Sequence, residues 1–101
     1  MNRLELQKIP IYQTRSIAEA QEAAPYILNC LLRCYSGDYG IVPEEDTAAN
    51  NHELEAGEGR ILARYEAKEG LENDIYIDIH FSVSDKTEEC NYGMIMYCDE
   101  Y

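Results

Sequence analysis

The residues with the richest chemical potential in this 101-residue chain share one stretch, where Tyr76, Asp78, His80, Ser82 and Ser84 alternate with Ile75, Ile77, Ile79, Phe81 and Val83. Strict alternation puts the serines, the histidine and the aspartate on one face of a strand. Residues two apart on a strand stand roughly 6.5–7 Å from each other. A nucleophilic triad needs its members in hydrogen-bond contact, with the nucleophile on a sharp turn beside an oxyanion hole. The spacing therefore predicts a polar sheet face rather than a hydrolase. Cys30 and Cys34 lie four apart and share a helical face, but Cys90 and Cys98 would have to complete any metal site. Structural zinc uses tighter pairs such as Cys-x2-Cys, and none is present. The paired cysteines are expected as small apolar core residues flanking a helical stripe. Acidic pairs are abundant, which weakens each as a sign of acid–base or two-metal chemistry. The chain has no phosphate-cradling glycine loop, HExxH, nucleophile elbow or EF-hand spacing. The expectation is a protein that is not an enzyme and carries no cofactor or metal.

Charge says more. Twenty acids against eight bases give a net charge of −12, and the distribution is uneven. Residues 1–37 hold three acids and four bases, net +1, whereas residues 38–101 hold seventeen acids and four bases, net −13. No base lies between Arg33 and Arg60, while Asp38, Glu44, Glu45, Asp46, Glu53, Glu55 and Glu58 fall in that gap. Such a field repels nucleic acid and anionic membrane surfaces and steers the chain toward basic protein surfaces. Solubility is the plainer reading of the same charge. Nine tyrosines against one Phe and no Trp add rigid contact area of the kind enriched at protein interfaces, although sheet packing accounts for part of them.

The elements that must position these groups read as one α+β domain over residues 1–101, with N-terminal helices packed on a three-stranded antiparallel β-meander. Leu4–Tyr12 alternates in part, and Pro10 confines any strand there to an edge. Ser16 with Glu19 reads as a capping box that starts a helix near Ile17. Pro25 breaks that helix or begins another, and Ile27, Leu28, Leu31, Leu32 and Tyr35 form an apolar stripe that ends at Gly37. Gly37-Asp38-Tyr39-Gly40 is a turn that needs positive φ and pins Tyr39 to the core. Pro43 opens a polar surface helix with Glu44, Glu45 and Asp46 in its first turn, running to about Glu55 with Gly57 beyond. Strands follow at Arg60–Glu66, Asp74–Ser84 and Asn91–Cys98, the apolar helix covering Ile75, Ile77 and Ile79. No apolar run reaches the roughly 20 residues of a membrane span, and residues 1–15 lack an apolar signal region. A reducing cytoplasm, with free cysteines, is the expected location.

Taken in order, residues 26–101 resemble a family of small proteins carried on plasmids, integrative elements and prophages. Its members show a helix ending in a Gly-Asp-Trp-Gly turn, an acidic helix with Asp and Asn, a Gly-x-Arg-x-Leu-x-x-Tyr-like strand, two more strands and a terminal Glu-Tyr. Here these are Gly37–Gly40, Asp46 with Asn50, Gly59 to Tyr65, and Glu100-Tyr101. Tyr39 stands where the family has Trp, and the family's Asp-Arg-Ser-x-Thr-Thr stretch is missing around Asp85–Glu89. The resemblance implies a mobile-element origin in a bacterial host. Small acidic proteins of that origin include inhibitors of host defence, among them anti-CRISPR proteins that block RNA-guided nucleases, whose guide and target lie in basic channels.

The sequence thus leads to an inhibitor of a host defence nuclease, of the kind that blocks guide RNA or DNA binding by a type II Cas enzyme through a nucleic-acid-mimicking acidic surface. The expected partner-binding residues are Asp38, Tyr39, Glu44, Glu45, Asp46, Glu53, Glu55, Tyr76 and Asp78. The alternative is an antitoxin, or an oligomerising accessory or structural protein, of a plasmid or prophage. Neither reading calls for direct contact with nucleic acid or membrane, and both a monomer and a homodimer are compatible with the sequence.

Overall fold

A computed structural model describes residues 2–101. Along the chain run helix α1 (Arg3–Leu6), strand β1 (Ile11–Gln13), helix α2 (Arg15–Glu19), a 3-10 turn (Gln21–Ala23), helices α3 (Ala24–Ser36) and α4 (Glu44–Ala56), strands β2 (Glu58–Tyr65), β3 (Ile75–Ser82) and β4 (Tyr92–Tyr97), and a final 3-10 turn at Cys98–Glu100. The class is α+β as expected, but the sheet is not a three-stranded antiparallel meander. It has four strands in the order β1-β4-β3-β2, with β1 parallel to β4 and the other pairs antiparallel.

The extra strand comes from the opening segment. Leu6 and Ile9, expected to alternate within an edge strand, are three apart, a spacing that also suits a helical turn. Leu6 closes α1 and is fully buried, and Ile9 after it is nearly so. Pro10 has no N–H, yet its carbonyl accepts from Gly93 N at 2.8 Å. The strand therefore begins just after it, on the edge of β4 that a bare meander would leave unpaired. Thr14, not Ser16, caps α2: its Oγ1 accepts from Ile17 N, and Glu19 pairs with Arg15 instead of closing a capping box.

One sheet face carries Ile61, Ala63 and Tyr65 of β2, Ile75, Ile77, Ile79 and Phe81 of β3, and Ile95 and Tyr97 of β4, all buried. Ile17, Ile27, Cys30, Cys34, Tyr39 and Leu54 belong to the same core. α3 is rotated from the expected stripe. Its buried residues are Ile27, Cys30 and Cys34, so the cysteines form the core face rather than flank it, and Leu28 and Leu32 point to solvent. Leu31 and Tyr35 pack only partly against the core.

The turn after α3 holds the far edge of the sheet. Arg64 N donates to Tyr39 O at 3.0 Å and Ile41 N to Arg64 O at 2.8 Å, so the turn runs as a short parallel neighbour of β2. Gly40 has φ +76, and a Cβ there would come within 1.9 Å of the Arg64 carbonyl oxygen. Only glycine fits so close a backbone approach.

Candidate functional site

α4 is the element that presents the expected acidic residues. Pro43 precedes the helix as its cap, one position earlier than expected, and Gly57 ends it in the left-handed conformation. With no apolar stripe, the helix buries only Asn50 and Leu54, one turn apart. Asn50 does what a neighbouring strand would do. Its Nδ2 donates to Leu62 O at 2.9 Å, and Leu62 N donates to its Oδ1 at 3.2 Å. A side-chain amide thereby closes the open ladder of β2 and fixes α4 along the sheet edge. The rest of the helix faces outward.

Glu44, Glu45, Asp46 and Glu55 are exposed along it, and Glu53 is half-buried with its carboxylate over Gly59. A Cβ at Gly59 would meet Glu53 Oε2 at 2.0 Å, so this carboxylate position depends on the glycine. Glu53 and Glu58 line an open depression at the end of the sheet together with Asp85 and Glu89 from the β3–β4 connection. The Thr87 backbone N–H, followed by its hydroxyl and the Cys90 thiol, holds the Asp85 carboxyl below its usual range. The acidic face of α4 thus continues around the molecule into a second cluster.

Six of the eight lysines and arginines are engaged elsewhere, Lys8 and Lys86 being the other two. Arg15 pairs with Glu19, Arg33 with Asp38, Arg60 with Asp78, Arg64 with Asp74 and Lys68 with Glu66. Arg3 donates to Tyr39 and Asn51. Among the described residues, Glu44, Glu45, Asp46, Glu53, Glu55, Glu58 and Glu89 form no ion pair with any of these bases. All of them but the half-buried Glu53 are exposed.

The other expected contact residues have internal duties. Asp38 is exposed, but it accepts from Arg33 Nε at 2.8 Å and from Gly40 N at 3.1 Å. The Arg33 guanidinium first, then the Gly40 amide, hold its carboxyl below the usual range, and its carbonyl accepts from Tyr65 OH. It locks the turn. Tyr39 is 3% exposed, its hydroxyl accepting from Arg3 Nη1 at 3.0 Å and donating to Asn51 Oδ1 at 2.9 Å. That is the core anchor the two glycines imply, and it leaves little surface for a partner.

Tyr76 and Asp78 lie on the sheet face opposite the core, which the sequence gives as a polar, open surface. That face is largely covered by its own side chains. Tyr101 folds over Tyr76 with ring centroids 5.1 Å apart and bonds Arg60 through its hydroxyl. His80 stacks on Tyr92 at 4.8 Å. Asp78 is only 6% exposed, with Oδ2 3.4 Å from His80 Nε2 and Oδ1 3.8 Å from Arg60 Nε. Asp78 and His80 thus approach more closely than strand spacing suggests, because their side chains lean together. Ser82 Oγ instead accepts from Asp85 N at 3.0 Å and meets Ser84 Oγ at 3.3 Å. No histidine–serine contact exists there to activate a nucleophile.

Cys30 and Cys34 are fully buried, and burial pushes the Cys34 thiol up to about 12. All four cysteines are free, and among the described residues no group of three His, Cys, Asp or Glu side chains is disposed to hold a metal ion. No helix of the described residues is long and apolar enough to cross a membrane. Sequence reasoning missed the Arg3–Asn51 contact at Tyr39 and the meeting of Glu58 with Asp85 and Glu89, both made only by the fold, and valued Asn50 only as part of a resemblance. An Asn one turn before the single Leu of an otherwise polar helix was its available signal. Comparison of the chain with protein-family models, with curated proteins and with solved structures gives no match.

Proposed function

We propose that the chain is a non-catalytic binding protein whose acidic α4 face occupies a basic, nucleic-acid-binding surface of another protein. The observation that carries this reading is the disposition of charge. Six of the eight lysines and arginines are engaged within the chain, whereas Glu44, Glu45, Asp46 and Glu55 project from a helix clamped to the sheet edge, beside the further carboxylates of the adjoining depression. Carboxylates held on a rigid scaffold imitate a run of phosphates, and little ordering entropy opposes their docking. The resemblance to mobile-element proteins makes a host-defence nuclease, of the type II RNA-guided kind, the proposed partner, with guide or target binding as the step blocked.

Guide loading tests this reading. A guide-free type II Cas nuclease is incubated with excess protein, and labelled guide RNA is then added. Wild type is expected to prevent loading, and the triple variant Glu44→Lys, Glu45→Lys, Asp46→Lys to need about tenfold more protein for the same effect. Equal potency of the two proteins, or no effect of either, contradicts the proposal.

A further inference from the structure

The two edges of the sheet are treated differently. The β2 edge is closed by Asn50 and by the Tyr39–Ile41 turn. The β1 edge is bare. β1 pairs with β4 in the register Ile11↔Gly93, Tyr12↔Met94, Gln13↔Ile95, flanked by bonds from Gly93 N to Pro10 O and from Thr14 N to Ile95 O. In a parallel ladder this register directs the Tyr12 N–H and C=O to β4 and turns those of Ile11 and Gln13 outward. Exposed edges of this kind are templates for pairing with another strand.

Apolar surface gathers on both sides of that edge. Two of the six large apolar side chains most exposed among the described residues border it, Tyr12 at 52% and Leu28 at 57%, and Leu32 at 55% stands one helical turn beyond Leu28. An apolar groove of about 360 Å³ runs beside β1, lined by Ile11, Ile17, Ala24, Ile27, Leu28 and Leu31. Leu28 and Leu32 continue it as a ridge on α3. On the other sheet face, Tyr12 stands next to Met94.

We infer that this edge is the interface of a homodimer, with β1 pairing antiparallel to β1 of a second copy about a two-fold axis through Tyr12. A two-fold there sets Ile11 opposite Gln13 of the partner subunit, and the outward N–H and C=O of each satisfy the other. Tyr12 faces its own copy in the closer, non-hydrogen-bonded pair. Such an interface is self-complementary, as two-fold contacts must be. Charge selects the occupant. Two chains of net −12 repel each other over most of their surface, but the strand and helices at this edge belong to residues 1–37, whose net charge is +1, with Glu100 the acid held beside them by Thr14 Oγ1. It is the surface on which a second copy approaches with least repulsion, and the acidic α4 lies at the opposite edge of the sheet, free for another partner.

Sedimentation velocity over a concentration series tests the dimer. Wild type is expected at twice the 11.6 kDa of the chain, with association strengthening as salt screens the net charge. Two variants keep the test open if one fails to fold. Gln13→Pro removes an outward N–H that makes no bond within the subunit, and Leu28→Glu places charge on the ridge without touching the strand. Each is expected to halve the mass while retaining the wild-type circular dichroism spectrum. A wild-type monomer at the highest soluble concentration, or a dimer that survives in both folded variants, overturns the inference.

Discussion

Replacing Asn50 by Ala removes the amide that closes the β2 edge. The change deletes two hydrogen bonds, Asn50 Nδ2 to Leu62 O and Leu62 N to Asn50 Oδ1. It leaves a backbone donor and a backbone acceptor unsatisfied beneath α4. A buried group deprived of its partner costs about 1–3 kcal/mol. Water reaching part of the edge lowers the sum, so the expected loss is about 2–4 kcal/mol, a large part of the ~5–15 kcal/mol that stabilises a small domain. At roughly 4–8 °C per kcal/mol for a chain of this size, the melting temperature falls by about 10 °C or more. Urea unfolding measures the loss, and amide hydrogen exchange locates it, since the Leu62 N–H must lose protection before those of β3. Asn50→Asp sharpens the test. A carboxylate still accepts from Leu62 N, but it faces the Leu62 carbonyl with an oxygen and cannot donate. Its stability is therefore expected to be at or below that of Asn50→Ala at neutral pH and to recover as acid protonates the carboxyl. A loss under about 1 kcal/mol for Asn50→Ala, with unchanged Leu62 exchange, refutes the clamp and with it the rigid presentation of α4.

Tyr39→Ala is expected to lose about 2–4 kcal/mol as a buried aromatic truncation, and Tyr39→Phe about 1 kcal/mol, because Arg3 still donates to Asn51; equal urea midpoints for the two variants contradict that ranking. Burial raises the Cys34 thiol from 9.0 to about 12. A group whose pKa rises on folding contributes its full stability below the unfolded value and loses it as pH climbs through the folded one, so the melting temperature should hold to about pH 8 and fall between about 9 and 12. Cys34→Val should shrink that fall without abolishing it, since burial also raises Tyr26 and Tyr65. Chelator and reductant should leave the melting temperature unchanged, because the four thiols are free; a drop of more than a few degrees with either contradicts a fold held by packing alone.

The central strand was legible because Ile75, Ile77, Ile79 and Phe81 repeat with period two over a full element, and α4 was legible because Pro43 and Gly57 punctuate it. β1 was not, since three residues after a proline carry no periodicity of their own and gain their partner only when β4 arrives from the other end of the chain. The rotation of α3 was hidden because Cys30 and Cys34 are small enough to sit nearest the sheet while larger leucines remain outside. That arrangement follows from close packing against Tyr65 rather than from hydrophobicity rank. The acidic residues of α4 were readable as a group, but the convergence of Glu53 and Glu58 with Asp85 and Glu89 depends on how the β3–β4 connection folds beside them. Tyr76 and Asp78 look solvent-facing in the alternation; Tyr101 and Arg60, distant in sequence, lie against them.

The proposed binding surface is the set of unpaired carboxylates on α4. Calorimetric titration of the chain into a guide-free type II Cas nuclease, at low and at high salt, tests it most directly. A defined stoichiometry is expected, with affinity that falls steeply as salt rises and loss of most of that salt dependence when Glu44, Glu45 and Asp46 are replaced by Lys. Absence of binding, or binding that is flat in salt and indifferent to the triple replacement, contradicts it.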